Sequence, residues 1–130
     1  MKNILIVEDN QLIIDFYKII LKRAGYNPII LEDSDKVLKL LATEKVSLII
    51  MDINLSNCYL SGEKIDGIKF SNHIKHDKRF YHIPLIIVSA YTPDILEGRV
   101  DNNYKPDCFL TKPILDFNIL INKINQLVLN

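Results

Sequence analysis

Charged residues end three widely separated, mostly apolar runs of this 130-residue chain. Glu8 and Asp9 follow the run 4–7, Asp52 follows the run 48–51, and Lys112 follows the run 108–111. Carboxylate oxygens are the ligands that hard divalent cations prefer, and a lysine ammonium is a common partner of phosphate oxygens. If the fold brings the three runs together, these residues form a site for a divalent metal and a phosphoryl group.

The elements that carry these residues have the pattern of buried parallel strands joined by helices. Short apolar runs alternate five times with longer segments in which apolar residues recur every three or four positions. In an open α/β sheet, ligands bind in the crevice beyond the carboxyl ends of the strands. The sequence therefore predicts an α/β fold with a doubly wound, five-stranded parallel sheet, helices on both faces, and the charged residues in the crevice.

The predicted strands cover 4–7, 28–31, 46–52, 84–89 and 108–111. The first helix is capped by Asn10 and stops at Gly25, and its helical spacing is set by Leu12, Phe16, Ile19, Ile20 and Arg23. The second begins at Ser34 or Asp35 and ends at about 44, the third covers 67–74, and Asp116 caps the last. Prolines and glycines in 91–107 leave at most two helical turns near 94–100.

Composition excludes several classes of protein. The chain is 48% hydrophobic and 25% charged, and its 16 basic residues balance its 16 acidic ones, so it has no net field that would attract nucleic acid or a membrane. No apolar run approaches the length of about 18 residues that spans a bilayer. We expect one cytoplasmic domain covering 1–130. Cys58 and Cys108 lack metal or disulfide spacing and are predicted to be reduced thiols, and surface positions are predicted for His73, His76 and His82.

Five short motifs resemble the receiver domain of two-component response regulators. They are Val-Glu-Asp-Asn at 7–10, Met-Asp-Ile at 51–53, Asp-Gly at 66–67, Val-Ser-Ala at 88–90 and Lys-Pro at 112–113. Each lies at a predicted strand end or helix start, and the resemblance covers the whole chain. It implies the flavodoxin-like strand order 2-1-3-4-5. It also implies a phosphorelay signalling protein rather than an enzyme, and because no DNA-binding segment follows in the sequence, we expect a single-domain regulator.

The resemblance also assigns roles to the charged residues. It implies that Asp52 is the phosphoacceptor, which takes a phosphoryl group from a sensor histidine kinase or a histidine phosphotransfer protein and becomes an aspartyl phosphate. It implies a Mg²⁺ or Mn²⁺ ion held directly by Asp9 and Asp52, through water by Glu8, and by the backbone carbonyl of Asn54. Lys112 is expected to supply a fixed positive charge beside the phosphoryl group.

Two further residues are expected to transmit the signal. By the resemblance, Ser89 donates its hydroxyl to a phosphoryl oxygen, and Phe109 turns inward on phosphorylation so that a downstream protein target reads a changed surface. As an aromatic residue in a core strand, Phe109 could equally serve packing alone. Pro113 stands at the family's cis-proline position, which would aim Lys112 inward.

The chain departs from the family pattern in an inserted loop at about 55–65. The family usually has a much shorter loop with a proline after the leucine, where this chain has Ser56. The insertion could shield the phosphoryl group, contact the kinase, or be a tolerated surface elaboration. Because Tyr59, Leu60 and Ile65 are apolar, we predict that it packs near the mouth of the site. The second departure is the helix-poor stretch before the last strand.

Two other functions remain open at this point. A receiver-like module could keep the fold for protein interaction without switching, although Asp9, Asp52, Ser89 and Lys112 are all present. A phosphatase of the haloacid dehalogenase type also uses a strand-end aspartate and magnesium. That class has an Asp-x-Asp pair after the first strand, whereas this strand ends in Glu8-Asp9.

Overall fold

The computed structural model describes residues 1–56, 58–91 and 105–129. The helix predicted near 94–100 lies outside these residues. Along the chain, the elements are β1 (Asn3–Val7), α1 (Gln11–Arg23), β2 (Asn27–Leu31), α2 (Ser34–Thr43), β3 (Leu48–Asp52), β4 (Tyr59–Leu60), β5 (Glu63–Lys64), α3 (Gly67–His76), β6 (Leu85–Ser89), β7 (Cys108–Thr111) and α4 (Phe117–Val128).

Five parallel strands form one sheet in the order β2-β1-β3-β6-β7. This is the predicted order 2-1-3-4-5 when only the strands of this sheet are counted. The last residue of β1, Val7, pairs with Leu31 of β2 and with Met51 of β3, and Ser89 at the end of β6 pairs with Thr111. The carboxyl ends of the strands therefore share one rim, as the doubly wound prediction requires.

Helices cover both faces of the sheet, as predicted. Side chains alternate across a strand, so Leu5 and Val7 of β1 belong to the core shared with α2 and α3, whereas Ile4 and Ile6 belong to the core shared with α1 and α4. Every residue of β3 is buried. A strand covered on both faces has no solvent-facing side, which explains why its sequence is apolar up to Asp52.

Helix α1 forms where it was predicted, but most of the apolar residues that indicated it point away from the core. Its buried residues are Ile14, Tyr17 and Leu21, whereas Leu12, Phe16 and Ile19 are 68%, 49% and 51% exposed. The ring of Phe16 stacks on that of Phe117 in α4, with centroids 6.1 Å apart. Helical spacing thus predicted the helix without identifying the face that it buries.

The helix caps follow the predictions with one shift. The side chain of Asn10 accepts from the Ile13 N–H at 3.2 Å, and Asp116 caps α4. Helix α2 is capped by Asp33 instead of Ser34 or Asp35, because the Asp33 carboxylate accepts from the backbone of both Asp35 and Lys36. The Ser34 hydroxyl bonds elsewhere, to the inserted segment.

The inserted segment contains a β-hairpin that packs against the start of α2. Strands β4 and β5 are antiparallel, and the residues between them, Ser61 and Gly62, have positive φ angles of 53° and 80°. Such a two-residue turn matches the twist of a hairpin. The Ser34 hydroxyl donates to the Tyr59 carbonyl at 2.7 Å and accepts from the Tyr59 N–H at 3.1 Å. Cys58 and Ile65 on either side of the hairpin are buried in the core with α2 and α3.

Candidate phosphoryl and metal site

The rim of the sheet brings together the four charged residues that the sequence singled out. One carboxylate oxygen from each of Glu8, Asp9 and Asp52 lies within 4.8 Å of the others. The Nζ atom of Lys112 lies 2.7 Å from Asp52 Oδ1 and 3.6 Å from Glu8 Oε2. Glu8 and Asp52 are 3% and 4% exposed. The predicted convergence of three acids and one lysine is therefore present.

Asp52 ends the central strand, and helix α3 begins directly against its backbone. A Cβ atom on Gly67 would lie 2.0 Å from the Asp52 carbonyl oxygen, so only glycine fits this approach. The Gly67 N–H donates to the Ile53 carbonyl at 2.9 Å, and the Asp66 carboxylate caps α3 by accepting from the Lys69 N–H. The Asp-Gly motif thus holds the start of α3 against the end of the strand that carries Asp52.

Glu8 is held by backbone groups and carries the clearest electrostatic signal of the site. Its Oε1 atom accepts from the N–H groups of Asp9 and Asn10 at 3.2 and 3.1 Å. Burial raises the pKa of Glu8, and the charge of Asp52 raises it further, against the hydrogen bonds and the charge of Lys112. The charge of Lys112 therefore does not cancel the effects of burial and of Asp52 on Glu8.

The donor set fits a hard divalent cation. All three acidic ligands are carboxylates, which suit Mg²⁺ and Mn²⁺. With all groups ionised, three negative charges and one positive charge leave the cluster with a formal charge of −2. A cation bound among these oxygens would lower their mutual repulsion, so Glu8, Asp9 and Asp52 could hold a metal.

Asp9 has a partner that sequence reasoning did not assign to the site. Its Oδ2 atom accepts from both the N–H and the hydroxyl of Ser56, at 3.2 and 2.5 Å. Ser56 stands where receiver-like sequences usually have proline. Serine in place of proline supplies an N–H and a hydroxyl near the predicted acids. This substitution was the signal in the sequence that could have identified Ser56.

Lys112 and Ser89 are joined through the backbone of adjacent strands. The Lys112 N–H donates to the Ser89 carbonyl at 2.7 Å, and the peptide bond from Lys112 to Pro113 is cis, as expected. Ser89 is 3% exposed, and its hydroxyl oxygen accepts from the Tyr91 N–H at 2.9 Å. The predicted hydroxyl therefore lies at the end of β6, the strand that pairs with β3.

The family model of the response regulator receiver domain matches residues 4–125 of this chain. The chain belongs to this family. Receiver domains are signalling domains that interact with histidine kinases and with downstream targets, and the family is not in general one of enzymes.

Relatives of this receiver domain occur in proteins of different lengths. The polar-differentiation response regulator DivK of Brucella anthropi is 28% identical over 113 residues, which are 87% of this chain and 85% of DivK. The putative response regulator NtrX-like of Rickettsia bellii is 37% identical over 89 residues, 68% of this chain. The CAI-1 autoinducer sensor kinase/phosphatase CqsS of Vibrio cholerae is 29% identical over 124 residues, 95% of this chain. The matched part is 17% of the length of each of the last two.

Solved receiver domains share the fold. The receiver domain of a sensor histidine kinase from Pseudomonas aeruginosa, solved with magnesium in its active site cleft, superposes with a TM-score of 0.80 at 19% identity and covers 99% of this chain and 98% of that one. The response regulator TrrA of Thermotoga maritima, in complex with Mg²⁺ and BeF, gives a TM-score of 0.78 at 24% identity, with 98% and 99% covered. At these identities the likeness shows the fold alone.

The other predicted residues of the receiver domain lie at the edge of the acidic cluster or away from it. Asn54 follows Asp52 by two residues and its side chain is exposed, while Phe109 is half-buried against the core shared with α2 and α3. The three histidines are exposed, as predicted. Cys58 and Cys108 are free thiols, and burial raises the pKa of Cys58 to about 11.

Tyr17 is a second residue near the site that the sequence did not reveal. It is 2% exposed and, with Lys112, lines an apolar cavity of about 350 Å³ between α1 and the start of α4. Burial raises the pKa of its hydroxyl, and the charges of Glu8 and Asp52 raise it further. The place of Tyr17 in a helix gave no indication in the sequence that it lies near the acids.

Within residues 1–56, 58–91 and 105–129, no helix is long and apolar enough to cross a membrane.

Proposed function

We propose that the chain accepts a phosphoryl group on Asp52 from a phosphohistidine of a sensor histidine kinase or a histidine phosphotransfer protein. The aspartyl phosphate then alters a surface that a downstream protein target reads. The observation that carries this proposal is the Lys112 ammonium 2.7 Å from the buried Asp52 carboxylate, inside a cluster of three acids. We place this chemistry in the cytoplasm, a reducing compartment that suits the free thiols of Cys58 and Cys108.

In the transfer step, a carboxylate oxygen of Asp52 attacks the phosphorus atom of the phosphohistidine. The new P–O bond forms as the P–N bond breaks, and the electron pair of that bond remains on the imidazole nitrogen. Lys112 opposes the negative charge on the phosphoryl oxygens from a fixed position, because its Nζ atom already lies beside Asp52 Oδ1. These groups therefore assist the phosphorylation of the domain that carries them, and we extend this assistance to its dephosphorylation.

Glu8 and Asp9 would repel an incoming phosphoryl group if nothing balanced their charge. Asp9 and Asp52 are the ligands that would hold Mg²⁺ or Mn²⁺ directly, with Glu8 acting through water and Asn54 through its backbone carbonyl. The magnesium in the solved Pseudomonas and Thermotoga receivers supports this assignment. When bound, the ion supplies positive charge against the phosphoryl oxygens.

Ser89 and Phe109 are the proposed route from the site to the surface. The Ser89 oxygen accepts from the Tyr91 N–H, which leaves the hydroxyl hydrogen available for a phosphoryl oxygen. A shift of Ser89 toward that oxygen would free space beside β7, where Phe109 is only half-buried. A ligand shifts a conformational equilibrium only through contacts that differ between two states, and these two residues supply such contacts.

Intact-mass spectrometry after incubation with acetyl phosphate tests the assignment of Asp52. Wild type should gain one phosphoryl group in Mg²⁺ and none in a chelator, and Asp52→Asn should gain none. Asp35→Asn is the matched control, because Asp35 is exposed on α2 outside the cluster, and it should be labelled like wild type. Equal labelling of Asp52→Asn and wild type would exclude Asp52 as the acceptor.

A further inference from the structure

Ser56 connects the inserted segment to the acidic cluster. Both of its donors, the backbone N–H and the hydroxyl, bond to the same atom, Asp9 Oδ2. Within the part of the chain that the structure describes, Oδ1 of Asp9 accepts no hydrogen bond. The two oxygens of one carboxylate therefore have different surroundings.

This difference has a chemical consequence for cation binding. Each carboxylate oxygen offers about two lone-pair positions, so two donors largely occupy Oδ2 and fix the plane of the group. Oδ1 keeps its capacity to coordinate a cation. Asp9 is only partly buried, so without these bonds its side chain would have more rotamers to lose when it binds an ion.

We propose that Ser56 is a positioning residue for the cation site, which holds Asp9 so that Oδ1 faces the ion and thereby strengthens the binding of Mg²⁺. This inference rests on the proposed role of Asp9 as a metal ligand. A proline at position 56 would have neither the N–H nor the hydroxyl, so the link depends on the serine in this chain.

The segment that carries Ser56 is also anchored at a second point. The backbone of Tyr59 exchanges two hydrogen bonds with the Ser34 hydroxyl at the start of α2, 2.7 and 3.1 Å long. The hairpin is thus held by α2, and Ser56 is held by Asp9. This arrangement provides a matched control, because Ser34→Ala removes the α2 hydroxyl that holds the same segment at its second point without touching Asp9.

Isothermal titration calorimetry with MgCl₂ tests the inference on the unphosphorylated protein. Loss of a residue that orients a metal ligand typically weakens binding about 10- to 100-fold. Because one N–H donor remains in Ser56→Ala, we expect the lower end, a Kd about tenfold higher. Ser56→Thr should stay within about threefold of wild type because it restores the hydroxyl, and Ser34→Ala should match wild type. Ser56 is exposed, so the two Ser56 variants keep the core intact.

Two results would overturn the inference. One is a Kd for Ser56→Ala equal to or lower than that of wild type, and the other is a Ser56→Thr variant that binds as weakly as Ser56→Ala. Labelling by acetyl phosphate separates this inference from the proposed function. If Ser56→Ala loses Mg²⁺ affinity but Asp52 is never phosphorylated, the proposed function fails and the positioning role stands. If Asp52 is phosphorylated and Ser56→Ala binds Mg²⁺ normally, only the positioning role fails.

Discussion

Two lysine–aspartate pairs lie at opposite ends of the sheet and differ in how fully the hydrogen-bonding capacity of the lysine is used. At the carboxyl ends of the strands, Lys112 Nζ lies 2.7 Å from Asp52. At the other end, Lys75 Nζ at the end of α3 lies 2.9 Å from Asp107, just before β7. The lysine side chains are 23% and 7% exposed. By distance alone, the two pairs look equivalent.

Their surroundings separate them. Lys75 Nζ also donates to the carbonyls of Tyr81 and Ile83, at 3.2 and 2.7 Å, so all three ammonium hydrogens have acceptors. The same oxygen of Asp107 accepts from the Leu85 N–H. Among the described residues, Lys112 in contrast has one short bond to Asp52 and a longer contact with Glu8, both members of a cluster of three carboxylates.

The role of an ion pair depends on the hydrogen-bonding capacity and the charge that remain unsatisfied around it. A lysine with one acid and two carbonyls has no capacity left for a ligand, so the Lys75 pair joins α3, the loop before β6 and the start of β7. A lysine among excess carboxylates leaves charge for a cation and a phosphoryl group. Each pair has one buried member, Asp52 and Lys75, so burial alone does not identify the site.

The largest expected effect is that of Lys112→Met on phosphorylation. Removal of one preorganised group that stabilises transition-state charge typically costs about 10²- to 10³-fold in rate. We therefore expect the initial rate of labelling by acetyl phosphate, followed by mass spectrometry, to fall at least about 100-fold. Lys112→Arg keeps the charge and should lose less. A rate within threefold of wild type for Lys112→Met would remove the lysine from the chemistry.

The corresponding change at the other pair should affect stability rather than chemistry. Lys75→Met leaves the Tyr81 and Ile83 carbonyls without their donor, and an unmade buried hydrogen bond costs about 1–3 kcal/mol. Asp107 is 36% exposed, so its charge adds little. We expect the free energy of unfolding in urea to fall by about 2 kcal/mol, while labelling per folded molecule stays within twofold of wild type.

The double variant Lys75→Met/Asp107→Asn tests whether the unpaired charge of Asp107 contributes to the loss of stability in Lys75→Met. It removes the charge left behind, so it should be no less stable than Lys75→Met. A slow labelling rate in fully folded Lys75→Met would contradict the separation of the two pairs.

A third pair, Asp77 with Arg79, lies on the surface and should have the smallest effect. The hydrogen bonds and charge of Arg79 hold the pKa of Asp77 at about 2, below the usual 3.8. A lowered pKa in the folded state gives stability that is present above pH 3.8 and is lost as the pH falls toward 2. The stability difference between wild type and Asp77→Asn should therefore be small and constant near neutral pH and should shrink below pH 3.8 in urea titrations. A difference that grows on acidification would contradict the assignment.

The residue pattern predicted the convergence of the charged residues, while the strand order was implied by the resemblance to receiver domains. Parallel buried strands must end at one rim, so acids placed after the first and third strands of the sheet and a lysine after the fifth had to meet there. The same periodic pattern predicted the last helix, whose Leu120 and Ile124 are buried. The convergence and the last helix depend on local spacing, which a sequence displays directly. The stretch near 94–100 lies outside the residues that the structure describes.

Tertiary structure alone decided which neighbours each side chain acquired. Helical spacing could not tell that α1 would bury Tyr17 while Phe16 packs on α4, because two apolar faces were available. The hairpin turn at Ser61 and Gly62 was not predicted, and its docking on Ser34 depends on how α2 lies beside it. Ser56 is 47 residues from Asp9. Spacing along a chain indicates the period of a helix or a strand. A contact between residues so far apart in sequence forms only when the sheet register and the packing of the insertion bring them together.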